Sequence, residues 1–138
     1  MSMFYLEIIA PERTVWSGEV GYVSFWTKEG SMGILDHRAP LLVALDIAPL
    51  ELLTHDQTRE TFAVHGGMLL MDGTQARVIT DAAEKPDEID LVRAKKSKQR
   101  AMEQLETAKT EMERTKMQYS VRKNLLRERL GAPKPGEG

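Results

Sequence analysis

Apolar residues over positions 4–80 come in short runs, alternating or clustered, cut by glycine, proline and aspartate, a pattern that predicts β-structure. Phe4–Ile9 ends at Ala10-Pro11, where proline cannot continue a central ladder. Along Val20–Thr27, Val23 and Phe25 fall on one face and Tyr22, Ser24 and Trp26 on the other. Gly30 and Gly33 are expected to bracket a turn. Pro40 then opens Leu41–Leu45, and Ile47–Leu53 forms a further short segment. Phe62 and Val64 lead through Gly66-Gly67 to Met68–Met71. Asp72-Gly73 predicts a two-residue type I′ hairpin turn, with Ala76–Thr80 as the return strand. Many short strands between turn signals imply a β-sandwich or barrel.

After Asp81 the period changes. Asp87 is a candidate helix cap, with Asp90 favourably placed near the positive end of the dipole. Ala94, Ala101, Leu105, Ala108 and Met112 follow at helical spacing, then Met117, Val121 and Leu125 with Leu126 and Leu130 beside them. Gly131 is expected to cap the helix end, and Pro133 and Pro135 to prevent its resumption. Between Asp87 and Gly131 there is no glycine or proline. The segment therefore reads either as two packed helices turning within Thr107–Thr115, or as one rod of roughly 65 Å at about 1.5 Å per residue. The fold class expected is α+β: an N-terminal sandwich domain over 1–84, a C-terminal helical domain over 87–130, and a disordered tail over 131–138.

Charge divides the chain the same way. Residues 1–86 hold 6 Lys and Arg against 12 Asp and Glu, while residues 87–130 hold 12 against 8, so the two parts should meet different partners. Cysteine is absent, which excludes disulfides and thiolate chemistry. No apolar run has the length of a membrane span, and no secretory signal is expected. His37, His55 and His65 have no metal-ligand spacing, so no metal site is expected, and His65 reads as a strand-end residue. No nucleophile or phosphate-loop motif is present, so an enzyme is the least favoured class. Nucleic-acid binding is disfavoured too, because the basic half carries only Tyr119 as an aromatic.

Four segments carry a family resemblance: Glu29-Gly30-Ser31-Met32-Gly33-Ile34-Leu35, Ala39-Pro40-Leu41-Leu42, Gly66-Gly67 with its apolar sequel, and Ala82-Ala83-Glu84 leading to Ile89-Asp90-Leu91-Val92-Arg93-Ala94. In this order and spacing the chain resembles the epsilon subunits of bacterial F-type ATP synthases over residues 3–130. The resemblance implies a β-sandwich of about ten strands and a two-helix hairpin able to extend into a rod. It implies a non-catalytic rotor subunit of the central stalk, coupling ion translocation to ATP synthesis. The expected partners are the gamma subunit, the membrane c-ring and, through the helices, the alpha/beta catalytic head. The expected location is the cytoplasmic face of the bacterial cell membrane, without membrane insertion. Asp36-His37-Arg38 departs from the family's Pro-Gly-His, and Ser31 stands where many relatives carry glutamate.

The resemblance also nominates residues. The loop toward the membrane ring would use Glu29, Ser31, Met32, Asp36, His37 and Arg38. Inhibitory docking of the extended arm on acidic surface of the head would use Lys116, Arg122, Lys123, Arg127 and Arg129. No cofactor is required, but ATP is a candidate regulatory ligand, held by Glu84, Ile89, Asp90, Arg93, Ala94, Arg100, Lys123 and Arg127. Guanidinium groups suit phosphate in bidentate fashion, whereas Lys123 offers only a point charge. The alternatives are an ATP-sensing switch on the same subunit, or an unrelated sandwich adaptor with a coiled-coil arm. Of Trp16, Tyr22 and Trp26, at least one is expected at the gamma interface.

Overall fold

The computed structural model describes residues 3–34 and 40–131, so the expectations placed on Asp36, His37, Arg38 and the tail beyond Gly131 lie outside the described residues. The chain forms two compact units, Met1–Lys85 and Pro86–Gly138.

In the first unit the strands are β1 (Phe4–Ala10), β2 (Arg13–Thr27), β3 (Gly30–Ile34), β4 (Leu41–Thr54), β5 (Arg59–Met71), β6 (Gln75–Ile79) and β7 (Ala83–Glu84). They pair in the order β1-β6-β5-β4-β2-β3, and β1 also pairs with β2, which closes the sheet into a flattened barrel. Most pairs are antiparallel, but β1 runs parallel to β6, with Tyr5 opposite Gln75 and Ile9 opposite Ile79. Alternation drives the closure, because Leu6, Ile8, Val23, Phe25, Phe62 and Leu69 all point inward and are essentially fully buried. Each such side chain contributes roughly 2 kcal/mol of apolar burial.

Three sequence expectations change here. Among the described residues the sandwich is built of seven strands, some of them long, because β4 and β5 run 14 and 13 residues without the predicted breaks. Pro49 sits inside β4, beyond the ladder to β2, which ends at Glu51, so its missing N–H costs no bond there. Gly66 and Gly67 carry β5 through φ of +78° and +117° instead of ending it. Gly33 lies within β3 rather than at a turn, and the Tyr22 ring covers it so closely that a Cβ would come within 2.9 Å of Cε2. The hairpin between β5 and β6 has three residues, not two. The Asp72 carboxylate accepts from the amides of Thr74 (3.0 Å) and Gln75 (2.9 Å), and these bonds hold its pKa down to about 2.

The second unit holds a short 3₁₀ turn (Pro86–Glu88), α1 (Leu91–Glu106) and α2 (Glu111–Gly131). The cap of α1 is Asp90 rather than Asp87, its carboxylate accepting the Arg93 N–H at 3.0 Å. Gly131 belongs to the last turn of α2 instead of lying past it. There it passes so near the start of α1 that a Cβ would stand 2.9 Å from Ile89 Cγ2. The chain reverses at Thr107–Thr110. Thr110 caps α2 by accepting from Glu113 N at 3.1 Å, while the Glu113 carboxylate reaches back to Lys109 N at 3.0 Å. The predicted stripe divides accordingly: Ala94 and Ala101 are buried, whereas Met112, past the turn, is 83% exposed.

Candidate functional site

Leu42, Met68, Leu70 and Ile79 are all large, apolar and 40–62% exposed. Register makes them one surface: Leu42 lies opposite Leu70, Ala44 opposite Met68, and Met68 opposite Ile79. Arg77, opposite Leu70, borders the patch, with its Nε 3.7 Å from the Glu7 carboxylate. A contiguous apolar face on a folded domain, rimmed by charge, suits protein docking. Sequence reasoning missed it, although a signal was present. Met68-Leu69-Leu70-Met71 is apolar at both parities, whereas a strand with a solvated face should alternate.

The β2–β3 tip is a second exposed feature. Thr27 Oγ1 donates to the Gly30 carbonyl (3.1 Å) and accepts from Glu29 N (3.2 Å), and Gly30 takes φ +135°. Trp26 and Met32 flank the tip at 47% and 39% exposure, with Ser31 opposite Trp26. Of the three aromatics, Trp26 is the most open. Trp16 packs against the core and over Gly18, and Tyr22 over Gly33.

The nominated nucleotide residues divide between the units. Glu84 belongs to the first, where its Oε1 stands 2.8 Å from Nε2 of the buried His65. His65 is thus an interior residue of β5 and not a strand end. In the second unit Asp90, Arg93 and Arg100 line one open depression of about 370 Å³ together with Val92, Lys96 and Ser97. Ala94 is buried and the part-buried Ile89 lies against Gly131, and neither lines this depression. Arg127 donates to Asn124 Oδ1 at 3.1 Å, and Lys123 is half-buried one turn earlier. The docking cations do not share a face. At 100° per residue Lys116, Lys123 and Arg127 fall within about 40° of one another, and Arg122 and Arg129 lie some 120° away. Among the described residues no group of acidic and histidine side chains is arranged for a metal. None of the described helices is long and apolar enough to cross a membrane.

Two family profiles match these two units in turn. The ATP synthase delta/epsilon chain β-sandwich domain matches residues 3–86, and the delta/epsilon long α-helix domain residues 87–127. The chain belongs to the delta/epsilon family of ATP synthase subunits. Within it the chain sides with the epsilon chains, the central-stalk subunits of F-type ATP synthases. The ATP synthase epsilon chain of Ruminiclostridium cellulolyticum is 33% identical, over 92% of this chain and 94% of that one. The chloroplastic epsilon chain of Psilotum nudum is 39% identical, over 77% and 79% respectively. Among solved structures, a chain of the Euglena gracilis mitochondrial ATP synthase (OSCP/F1/c-ring) superposes with a TM-score of 0.76. It shares 18% identity and covers 91% of this chain and 79% of its own, a likeness of fold.

Proposed function

We propose that this chain is a non-catalytic rotor subunit that joins the gamma subunit to the membrane c-ring and restrains ATP hydrolysis through its helical arm. The observation that carries the reading is the apolar face of Leu42, Met68, Leu70 and Ile79 on a closed sheet, a surface built for a permanent protein partner. Gamma is that partner. The β2–β3 tip, with Glu29, Ser31 and Met32, meets the polar loops of the c-ring. Lys116, Lys123 and Arg127 on one side of α2, and Arg122 and Arg129 on another, meet acidic surface of the alpha/beta head once the arm extends. The subunit works at the cytoplasmic face of the bacterial membrane and does not insert into it.

Pull-down with gamma, followed by ATPase assay of the assembled enzyme with and without residues 87–138, tests this. A truncation ending at Glu84 should bind gamma and raise hydrolysis. Failure to bind would defeat the rotor reading, and unchanged hydrolysis would defeat the inhibitory one.

A second reading, ATP as a regulatory ligand, is favoured by the depression where Arg93, Lys96 and Arg100 converge beside Asp90. Calorimetric titration of the full chain with ATP decides it. Heat of binding that Arg93→Ala and Arg100→Ala abolish supports it, and absence of heat removes it.

A further inference from the structure

The seam between α1 and α2 is short of apolar contact. One series of covered positions runs Leu91, Ala94, Lys98, Ala101, Leu105 on α1, and another Met117, Val121, Asn124, Glu128, Gly131 on α2. On α1 the fully buried members are alanines, each hiding a single methyl group. On α2 the buried member of this series is Asn124, only 3% exposed, while the other buried residue of the helix, Leu126, lies outside the series. Burying an amide is tolerable when its hydrogen bonds are made. Here both are made inside α2: Nδ2 donates to the Ser120 carbonyl (2.9 Å), and Oδ1 accepts from Arg127 (3.1 Å). Neither bond is lost when the helices part.

A polar link that does cross the seam is Lys98 with Glu128. Nζ lies 2.8 Å from Oε1 and 3.1 Å from Oε2, and the two side chains are 24% and 21% exposed. Such a pair differs from the surface pair Arg114–Glu111, whose carboxylate side chain is 85% exposed and which joins neighbours on one helix. Removing one partner of a mostly covered pair leaves the other charge desolvated and alone, while replacing both with apolar groups is often neutral or stabilising.

We propose that Lys98–Glu128 is a charge latch that sets how readily the helical arm opens, and that Asn124 keeps the closed state marginal by filling the seam with a group indifferent to closure. The latch is a regulatory refinement of the inhibitory arm and rests on the reading that this arm opens in use. Opening breaks the Lys98–Glu128 pair and uncovers the two alanine methyls with the part-covered Leu91, Leu105, Met117 and Val121, a modest apolar seam that a docking partner can offset.

The full chain, naturally free of cysteine, permits the test without background labelling. Spin labels at Gln99→Cys and Leu125→Cys sit on exposed positions beside the latch, close together when closed and roughly 39 Å apart along a continuous helix at 1.5 Å per residue. Pulsed dipolar spectroscopy then reads the open population. Lys98→Glu and Glu128→Lys should each raise it about tenfold. The combined charge swap should return it to within twofold of the parent. Lys98→Met with Glu128→Leu should be at least as closed as the parent. An unchanged distribution in either single reversal, a swap as open as the singles, or an apolar pair that opens would each overturn the latch. Hydrolysis by the assembled enzyme carrying the same variants separates the two ideas. Altered distances with unaltered hydrolysis would defeat the inhibitory arm and leave the latch standing.

Discussion

His65 Nε2 lies 2.8 Å from Glu84 Oε1, tying the two-residue strand β7 to the middle of β5. The imidazole is fully covered, and its Nδ1 has no hydrogen-bond partner among the described residues. A carboxylate oxygen can only accept, so Nε2–H is the donor of this bond. His65→Leu should leave Glu84 without this donor and lower sandwich stability by about 1–3 kcal/mol in urea unfolding. Amide exchange at Ala83 and Glu84 should accelerate first, since β7 is only two residues long. His65→Gln, which retains a donor, should recover part of the loss.

On the apolar sheet face, a single charge is expected to separate binding from folding. Leu70→Glu and Ile79→Glu place carboxylates on a surface already open to water, so melting temperature should shift by no more than a degree or two. Pull-down of gamma should fall at least tenfold, as central interface positions commonly carry more than 1 kcal/mol each. Retained gamma binding in both variants would move the interface elsewhere on the barrel.

The turn of the arm has opposite sensitivities at two threonines. Thr110 caps α2, so Thr110→Ala should cost the closed hairpin about 1 kcal/mol and raise the open population. Thr115 is exposed within α2, and Thr115→Ala should instead strengthen the helix by roughly 0.5 kcal/mol in either state. Exchange rates of the amides of residues 111–114 report the first effect, and overall helicity the second. Equal responses from the two would contradict the capping geometry.

Acid should loosen the β5–β6 hairpin. Asp72 is held at about 2 against an ordinary 3.8, chiefly by the Gln75 and Thr74 amides, and Asp56 is also lowered, first by its bond from Thr54. A folded-state value below the unfolded one gives stability that is full above the unfolded value and lost as pH falls toward the folded one. The Asp72 contribution should thus disappear between about pH 4 and pH 2. Asp72→Asn should flatten the fall of melting temperature across that window, and an unchanged slope would refute the assignment.

Strand and helix character were legible because their periods differ, and the change of period near Asp81 is visible in the residues alone. Strand length was not. Asp46, between the two apolar runs, and Gly66-Gly67 look like breaks, yet β4 runs straight through the first and glycine bends β5 without stopping it. The hairpin turn was written in Thr110-x-x-Glu113, a capping box that a search for glycine and proline overlooks. Of the nominated nucleotide residues, Asp90, Arg93 and Arg100 line one depression. No spacing rule could have joined Lys98 to Glu128, or His65 to Glu84, because each pair meets only after the chain has doubled back.

The parallel pairing of β1 with β6 has a consequence for the newborn chain. During synthesis β1 leaves the ribosome first and finds its antiparallel neighbour β2 at once, since Ala10 and Arg13 pair across a tight corner. Its other edge must wait for Gln75–Ile79. Through that interval the nascent polypeptide exposes one open edge of a strand that carries Leu6, Ile8 and Ile9, the kind of edge that recruits other chains. Closure of the barrel thus cannot precede the synthesis of β6. A translational pause just before residue 75 should cost yield through aggregation, while the same pause after residue 85 should be harmless.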